Sequence, residues 1–154
     1  MFQPFPPGHP INKTGIKMNK SLPSAKPNRS LHILSIDDDK QILEMMNDFF
    51  THYGHRVSVA SGGKNGINLF HNAILKSEPF DVVITDLGMP DVTGCQVAQA
   101  IKAESPQTPV IMLAGEAAIS SEGGARVEAV DIVICKPPHM KELNDLLLRM
   151  ATPA

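Results

Sequence analysis

Residues 31–39 read Leu-His-Ile-Leu-Ser-Ile-Asp-Asp-Asp, and they give the first indication of the fold class. The run Leu31–Ile36 has the length of a strand and shows no polar alternation, which suits a strand buried on both faces of a parallel sheet. Three acids follow it directly. They would therefore lie at the carboxyl end of the strand, where open α/β sheets bind their ligands.

Four more short apolar runs follow the first, and helical periodicity separates them. The runs are Val57–Ala60, Phe80–Thr85, Val110–Ala114 and Ile132–Cys135. The stretches between them carry apolar residues at helical spacing, such as Ile42, Met46, Phe49 and Phe50 in the first and Leu143, Leu146, Leu147 and Met150 in the last. Strands that alternate with helices through short connections predict a doubly wound α/β sandwich with helices on both faces.

Glycine and proline mark the predicted helix ends. The first helix should end at Tyr53-Gly54-His55, the second should begin at Ser61-Gly62-Gly63, and the third should begin at Pro90-Asp91 and end before Pro106 and Pro109. A fourth helix is expected between Ala117 and Ala129. Gly123-Gly124 lies inside it, and each glycine costs about 1 kcal/mol relative to alanine, so this helix should be short, frayed or shifted.

Charge separates residues 1–30 from the rest of the chain. These residues carry five basic side chains, no acid and six prolines, whereas the remainder has a formal charge of −7. With few large apolar side chains, residues 1–30 are predicted to be a disordered tail, and the domain is expected to span residues 31–151. The basic residues are spread out rather than clustered, which favours a solvated linker over a nucleic-acid-binding arm.

Composition excludes several classes of protein. The longest apolar runs are far shorter than the ~20 residues of a transmembrane helix, and the amino terminus has no secretory signal pattern. Cys95 and Cys135 do not have metal-ligand spacing, which indicates free thiols in a reducing cytoplasm. The six histidines, including His52 and His55, show no metal spacing and are expected to be surface or capping residues.

Charged residues follow three of the predicted strands at the same end of the sheet. Asp37, Asp38 and Asp39 follow the first strand, Asp86 follows the third, and Lys136 follows the fifth. Two carboxylates ~4 Å apart repel each other by about 4 kcal/mol at an effective dielectric constant near 20, so such a cluster needs a cation. Carboxylate oxygens suit Mg²⁺, and Lys136 offers a positive charge for a phosphoryl oxygen. Asp39 is instead expected to begin the first helix, and Thr85 to be a packing residue.

Four motifs, taken in order, resemble those of bacterial response-regulator receiver domains. They are Ile33-Leu34-Ser35-Ile36-Asp37-Asp38-Asp39, Val82-Val83-Ile84-Thr85-Asp86-Leu87-Gly88-Met89-Pro90 with Gly94 beyond, Pro109-Val110-Ile111-Met112-Leu113, and Cys135-Lys136-Pro137-Pro138. The match extends from about Leu31 to about Met150. It implies a flavodoxin-like sheet of five parallel strands in the order 2-1-3-4-5.

The resemblance also implies a role for each matching residue. Asp86 is implied to accept the phosphoryl group, and Lys136 to pair with that group. Mg²⁺ is implied to bind Asp37, Asp38, Asp86 and the Gly88 carbonyl. The bond into Pro137 is implied to be cis, as is typical of the family. The expected protein is a stand-alone, chemotaxis-like receiver, monomeric or weakly dimeric, which turns over no separate substrate.

Two positions depart from the family pattern. Ala114 occupies the place of the usual Thr or Ser, and Val133 the place of the usual Tyr or Phe. Both halves of the usual conformational switch are therefore missing, while the acceptor, the acidic pair and Lys136 are present. The departure raises a question about signal propagation, not about acceptor chemistry.

The sequence also indicates a phosphoryl donor and leaves two alternative functions open. The expected donor is a histidine kinase or a histidine phosphotransfer protein. A receiver-like interaction module that does not cycle phosphate is one alternative, because Ala114 and Val133 lack the switch groups. A haloacid-dehalogenase-type phosphatase is another, because Asp37-Asp38-Asp39 fits Asp-x-Asp, but Gln41 replaces the expected Thr or Val. Only four residues follow Met150, so no DNA-binding domain is expected.

Overall fold

A six-stranded sheet forms the centre of the computed structural model, which describes residues 29–117 and 129–151 and the backbone of residues 16–18. The strands are β1 (Ile16–Met18), β2 (His32–Asp37), β3 (Arg56–Ser61), β4 (Val82–Asp86), β5 (Val110–Ala114) and β6 (Ile132–Cys135). The helices are α1 (Lys40–His52), α2 (Gly63–Leu75), α3 (Gly94–Glu104) and α4 (Met140–Met150). No helix in the described ranges has the length and apolarity needed to cross a membrane.

The sheet order is β1-β6-β5-β4-β2-β3. Strands β2 to β6 are parallel, and their spatial order confirms the predicted 2-1-3-4-5 arrangement of five strands. Central strands β4 and β5 are buried along their whole length, as their continuous apolar sequences indicate. The parallel arrangement brings the carboxyl ends of all five strands to one edge.

Two apolar layers cover the two faces of the sheet. Alternate strand residues point to opposite faces, so Ile33 and Ile84 pack with α1 and α4, whereas Leu34 and Val83 pack with α2 and α3. Met46 and Phe50 of α1 are fully buried, as their spacing predicts. The predicted stripe of α4 is likewise buried at Leu143, Leu146 and Leu147.

Helix α3 begins later than the sequence analysis predicted. Its first residue is Gly94, and Pro90-Asp91 belongs to the preceding turn, in which Asp91 has a φ of 67°. Thr93 accepts a hydrogen bond from the Gln96 amide, and the Gln96 side chain accepts one from the Thr93 amide. This capping box satisfies the first amides of the helix, so the helix begins there rather than at the proline.

His55 is buried, so the expectation of a surface position is wrong for it; its amide donates to the Phe50 carbonyl at the end of α1, which agrees with the alternative expectation of a capping role. Its Nδ1 accepts a hydrogen bond from the Leu31 amide at 3.0 Å, and its Nε2 lies 2.8 Å from Asn144 Oδ1. Because Nδ1 accepts, Nε2 carries the proton and donates to Asn144. The histidine thus joins the start of β2 to α4 at the end of the sheet opposite the acidic cluster.

The amino-terminal segment contains a strand that the sequence analysis did not predict. Strand β1 pairs antiparallel with β6 and extends the sheet by one strand, so the predicted disorder of residues 1–30 is wrong for Ile16–Met18. Order also begins before Leu31, because the Ser30 hydroxyl donates to the Gly54 carbonyl. The rest of the predicted tail lies outside the described residues. So does most of the helix predicted between Ala117 and Ala129, which is not the helix labelled α4.

Candidate functional site

Three carboxylates meet at the carboxyl edge of the sheet. Asp37 ends β2, Asp38 follows it, and Asp86 ends the neighbouring strand β4. One oxygen from each of the three lies within 4.8 Å of the others. Asp37 and Asp86 are buried, whereas Asp38 is exposed. The structure therefore brings together the carboxylates that the sequence placed at this edge, and Asp39 is not one of them.

Asp39 has the structural role that the sequence predicted. It is the N-cap of α1, and its carboxylate accepts a hydrogen bond from the Gln41 amide at 2.9 Å. Its own amide donates to Asp37 Oδ1, also at 2.9 Å. The Asp39 backbone thus orients one oxygen of the buried Asp37, while the Asp39 side chain binds the first turn of α1.

Lys136 provides the positive charge of the cluster. It directly follows β6, and its Nζ lies 2.6 Å from Asp86 Oδ1 and 3.7 Å from Asp37 Oδ2. Burial by itself would lower the pKa of Lys136, but the hydrogen bond to Asp86 and the nearby carboxylate charges raise this pKa above its ordinary value. The ammonium group therefore stays charged and holds the Asp86 side chain in place.

Asp37 is the least satisfied of the three carboxylates. Among the described residues, Asp37 Oδ2 is the buried side-chain oxygen without a hydrogen bond. Burial, together with the charge of Asp86, raises the pKa of Asp37 to about 6 against the lowering effect of the Asp39 amide and Lys136. The positive charge of Lys136 thus does not balance the negative charges of the three carboxylates.

This cluster has the donor set of a site for a hard cation. It offers carboxylate oxygens from two strand ends, one of them buried and without a hydrogen-bond donor. A small divalent cation prefers such oxygen ligands and keeps several waters. The residues present therefore fit a divalent metal ion.

The loop after Asp86 is held by backbone contacts. The Leu87 amide donates to the Leu113 carbonyl at 3.0 Å, and the Gly94 amide donates to the Leu87 carbonyl at 2.9 Å. A Cβ atom on Gly94 would lie 2.2 Å from the Asp86 carbonyl oxygen, so only glycine allows α3 to begin this close to the end of β4. Gly88 is exposed in this loop, two residues after Asp86.

The two positions that lack the usual switch groups lie on neighbouring strands. Ala114 ends β5 and is buried, and its carbonyl accepts a hydrogen bond from the Lys136 amide at 2.9 Å. Val133 is buried in β6 and packs in the same apolar layer as Ala114. The Lys136–Pro137 bond is cis. Thr85 is fully buried, and its hydroxyl donates to the Asp86 carbonyl at 3.1 Å, in keeping with a packing role.

Comparison with known proteins shows which protein family the sequence matches. The family model of the response regulator receiver domain matches residues 33–148. Response regulator SaeR of Staphylococcus aureus is 28% identical over 123 residues, which are 77% of this chain and 51% of SaeR. The chain therefore spans about half the length of the curated relatives it matches.

Solved structures give the same result over most of the chain. A response regulator receiver domain protein from Clostridium thermocellum is 29% identical, with a TM-score of 0.65 over 79% of this chain and 93% of that one. Chemotaxis protein CheY4 of Vibrio cholerae is 27% identical, with a TM-score of 0.64 over 79% and 99% of the two chains. The BeF₃-activated receiver domain of DrrB is also 27% identical, with a TM-score of 0.61 over 79% and 97%.

Proposed function

The chain belongs to the response regulator receiver family, and on that premise we propose that Asp86 is its phosphoacceptor in a two-component pathway. One observation carries the proposal most directly: Lys136 Nζ lies 2.6 Å from Asp86 Oδ1, at the edge where Asp37 and Asp38 also lie. A carboxylate held beside a fixed ammonium group and a cation site is arranged to receive an anionic group.

The reaction is a transfer from nitrogen to oxygen. A carboxylate oxygen of Asp86 attacks the phosphorus of a phosphohistidine on a partner protein; the new O–P bond forms as the N–P bond breaks, and the electron pair of that bond returns to the imidazole. Transfer of this kind depends mainly on in-line positioning and on charge neutralisation at the equatorial oxygens. Lys136 orients Asp86 beforehand and supplies one of the positive charges.

Mg²⁺ is the proposed metal. Asp37, Asp38 and Asp86 would hold it, with the Gly88 carbonyl as a further ligand. When bound, Mg²⁺ neutralises charge on the phosphoryl oxygens. The residues of the chain prepare this site, because the Asp39 amide fixes Asp37 Oδ1 and leaves Oδ2 available.

Donor and location follow from the same proposal. The donor is a histidine kinase or a histidine phosphotransfer protein, and the receiver turns over no separate substrate apart from hydrolysis of its own acyl phosphate. Cys95 and Cys135 form no disulfide bond in the structure, which supports a reducing, cytoplasmic location. The chain acts as a monomer or weak dimer and passes its signal to a separate protein partner.

Intact-mass analysis after incubation with acetyl phosphate and Mg²⁺ tests the proposal. The native protein should gain the mass of one phosphoryl group, and Asp86→Asn should gain none. Asp91→Asn is the matched control, because Asp91 is exposed in the turn after Asp86 and asparagine tolerates its positive φ. That variant should be labelled like the native protein.

A receiver-like interaction module that does not cycle phosphate is the second candidate. Ala114 has no hydroxyl and Val133 has no aromatic ring, so the usual switch groups are missing, and this favours the second candidate. Both side chains are buried among apolar neighbours. If the native mass stays unchanged under conditions that label a control receiver, this second function replaces the first.

A further inference from the structure

Strand β6 lies near one edge of the sheet and has no edge protection of its own. Its sequence, Ile132–Cys135, is Ile-Val-Ile-Cys, and the first three side chains are buried. Edge strands usually carry charges, proline or a bulge that blocks further pairing. Nothing of this kind occurs within β6, so its outer backbone groups are suited to accept another strand.

The opposite edge of the sheet is different. Strand β3 begins with Arg56, whose side chain is 66% exposed and pairs with Glu78, and it ends with exposed Ser61. These polar residues discourage pairing along β3. The described amino-terminal strand β1 accordingly lies on the apolar edge, where it pairs antiparallel with β6.

The hydrogen-bonding pattern of β6 shows which amides face β1. The Lys136 amide, two residues after Ile134, donates to the Ala114 carbonyl of β5, and Ile132 and Ile134 pair with Ile111 and Leu113 of β5. Because successive residues of a strand direct their amides to opposite sides, the amides of Ile132 and Ile134 point toward β5, and the amide of Val133 points toward β1. Val133 is opposite Lys17. The amide of Lys17 therefore faces β6, and the amide of Met18 points outward.

The chain is long enough for this pairing to occur within one molecule. Met18 lies opposite Ile132 at the amino end of the parallel strands, and Arg29, just before β2, contacts the Ala151 carbonyl and Asp81 near that end. From β1 to β2 is four strand positions, or about 19 Å. The eleven residue steps from Met18 to Arg29 can span at most roughly 36–40 Å. The connection is therefore long enough for this pairing within one molecule.

We infer that the outer edge of β6 is a docking surface for an extended antiparallel strand, and that Ile16–Met18 of the same chain occupies it. A strand from another protein must displace this segment before it can pair with β6. Lys136 directly follows β6, so the covered surface borders the candidate phosphoacceptor site. The inference does not depend on phosphorylation of Asp86, because it rests on strand pairing alone.

Hydrogen exchange in proline variants of the full chain tests the occupant. Lys17→Pro removes an amide that faces β6, and it should raise the exchange rate of the Val133 amide by about tenfold or more. Met18→Pro is the matched control, since its lost amide points outward, and the exchange rate of Val133 should stay within about twofold of the parent. Equal rates in the parent and in Lys17→Pro would overturn the inference.

A peptide added to the Lys17→Pro protein tests the surface itself. A synthetic peptide of residues 11–22 should restore protection of the Val133 amide at roughly millimolar concentration, the usual effective concentration of a short tether. The same peptide with proline at position 17 should not. Failure of the native peptide to restore protection would overturn the inference. So would a dimer of the Lys17→Pro protein in which the Val133 amide is protected, because the occupant would then be a second copy.

Discussion

Asp38 and Asp39 are neighbours in sequence, yet only Asp38 belongs to the carboxylate cluster. Saturation with Mg²⁺ at a hundredfold excess over Kd should stabilise the native protein by about 2.7 kcal/mol, because the ion binds only the assembled site. Asp38→Asn should lose most of this gain, and its metal-free stability should equal or exceed that of the native protein because one repelling charge is gone. Thermal unfolding with and without Mg²⁺ measures both effects.

Asp39→Asn is the control for that measurement. It removes the same charge one residue further on, and asparagine caps a helix as well as aspartate does. Its Mg²⁺ response should therefore match that of the native protein. A full Mg²⁺ response in Asp38→Asn, or an equal loss in both variants, would contradict the assignment of Asp38 as a ligand.

The raised pKa of Asp37 should make stability depend on pH. Its pKa is about 6 in the fold, against 3.8 as the ordinary value, so the folded state holds this proton more tightly than the unfolded state. Without divalent metal, the free energy of unfolding should fall as pH rises from about 4 to about 6, by at most about 3 kcal/mol from this group. Urea unfolding across that range, in native protein and in Asp37→Asn, measures the contribution as a difference.

Mg²⁺ should weaken that pH dependence. A bound cation favours the ionised carboxylate, so the pKa of Asp37 drops and the folded state no longer retains the proton in this range. The difference between the native protein and Asp37→Asn should then shrink between pH 5 and pH 6. A difference that is the same with and without the metal would show that Asp37 does not bind it.

At the level of secondary-structure elements, the start of α3 determines how the end of β4, with Asp86, is held. Gly94→Ala would place a Cβ atom 2.2 Å from the Asp86 carbonyl oxygen and 2.9 Å from Leu87 Cα, both of which are backbone atoms. The helix must shift, so the variant should lose about 1–3 kcal/mol of stability and accept phosphoryl groups more slowly. Urea unfolding and the rate of labelling by acetyl phosphate measure the two effects.

Gly115→Ala serves as the comparison for Gly94→Ala. Gly115 follows β5 at the same edge of the sheet, and a Cβ atom there would have no neighbour within 4 Å. Its stability should change by less than about 0.5 kcal/mol. Similar losses in both variants would mean that close packing at Gly94 does not position Asp86.

The sequence predicted the elements better than it predicted their ends. All five parallel strands could be recognised from short apolar runs, and four of them lack polar alternation because they are buried on both faces; β3, at the edge of the sheet, is only partly buried. The start of α3 could not be placed, because Pro90-Asp91 is a signal both for a turn and for a helix start. Thr93 and Gln96, three residues apart, were the capping signal that decided between them.

Contacts between distant parts of the chain could not be predicted from local sequence patterns. The periodicity around His55 does not reveal that the ring joins Leu31 to Asn144, which is 89 residues away. Strand β1 has only three residues, and its formation depends on β6, more than a hundred residues further along the chain. The convergence of Asp37, Asp86 and Lys136, by contrast, could be predicted, because parallel strands end at one edge.

For the molecule as a whole, the question is how phosphorylation would reach distant surfaces. A ligand shifts a conformational equilibrium only by its difference in affinity for the two states. In ordinary receivers a hydroxyl moves to the phosphoryl group and an aromatic ring fills the space it leaves. Ala114 and Val133 can do neither, and both are already packed in one apolar layer with Val83 and Met112 of the central strands.

Beryllofluoride with Mg²⁺, a mimic of the phosphorylated state, should therefore cause only local changes in hydrogen exchange. We expect altered protection around Asp86, Gly88, Ala114 and Lys136, because these residues border the bound group or its counter-charge. The signal would then be recognised as a change of charge at this edge, or passed on by phosphoryl transfer. Hydrogen exchange of the full chain with and without beryllofluoride is the measurement, and Asp86→Asn gives the baseline. Strong protection changes throughout residues 116–133 would contradict this expectation, since they would require a long-range switch built from other residues.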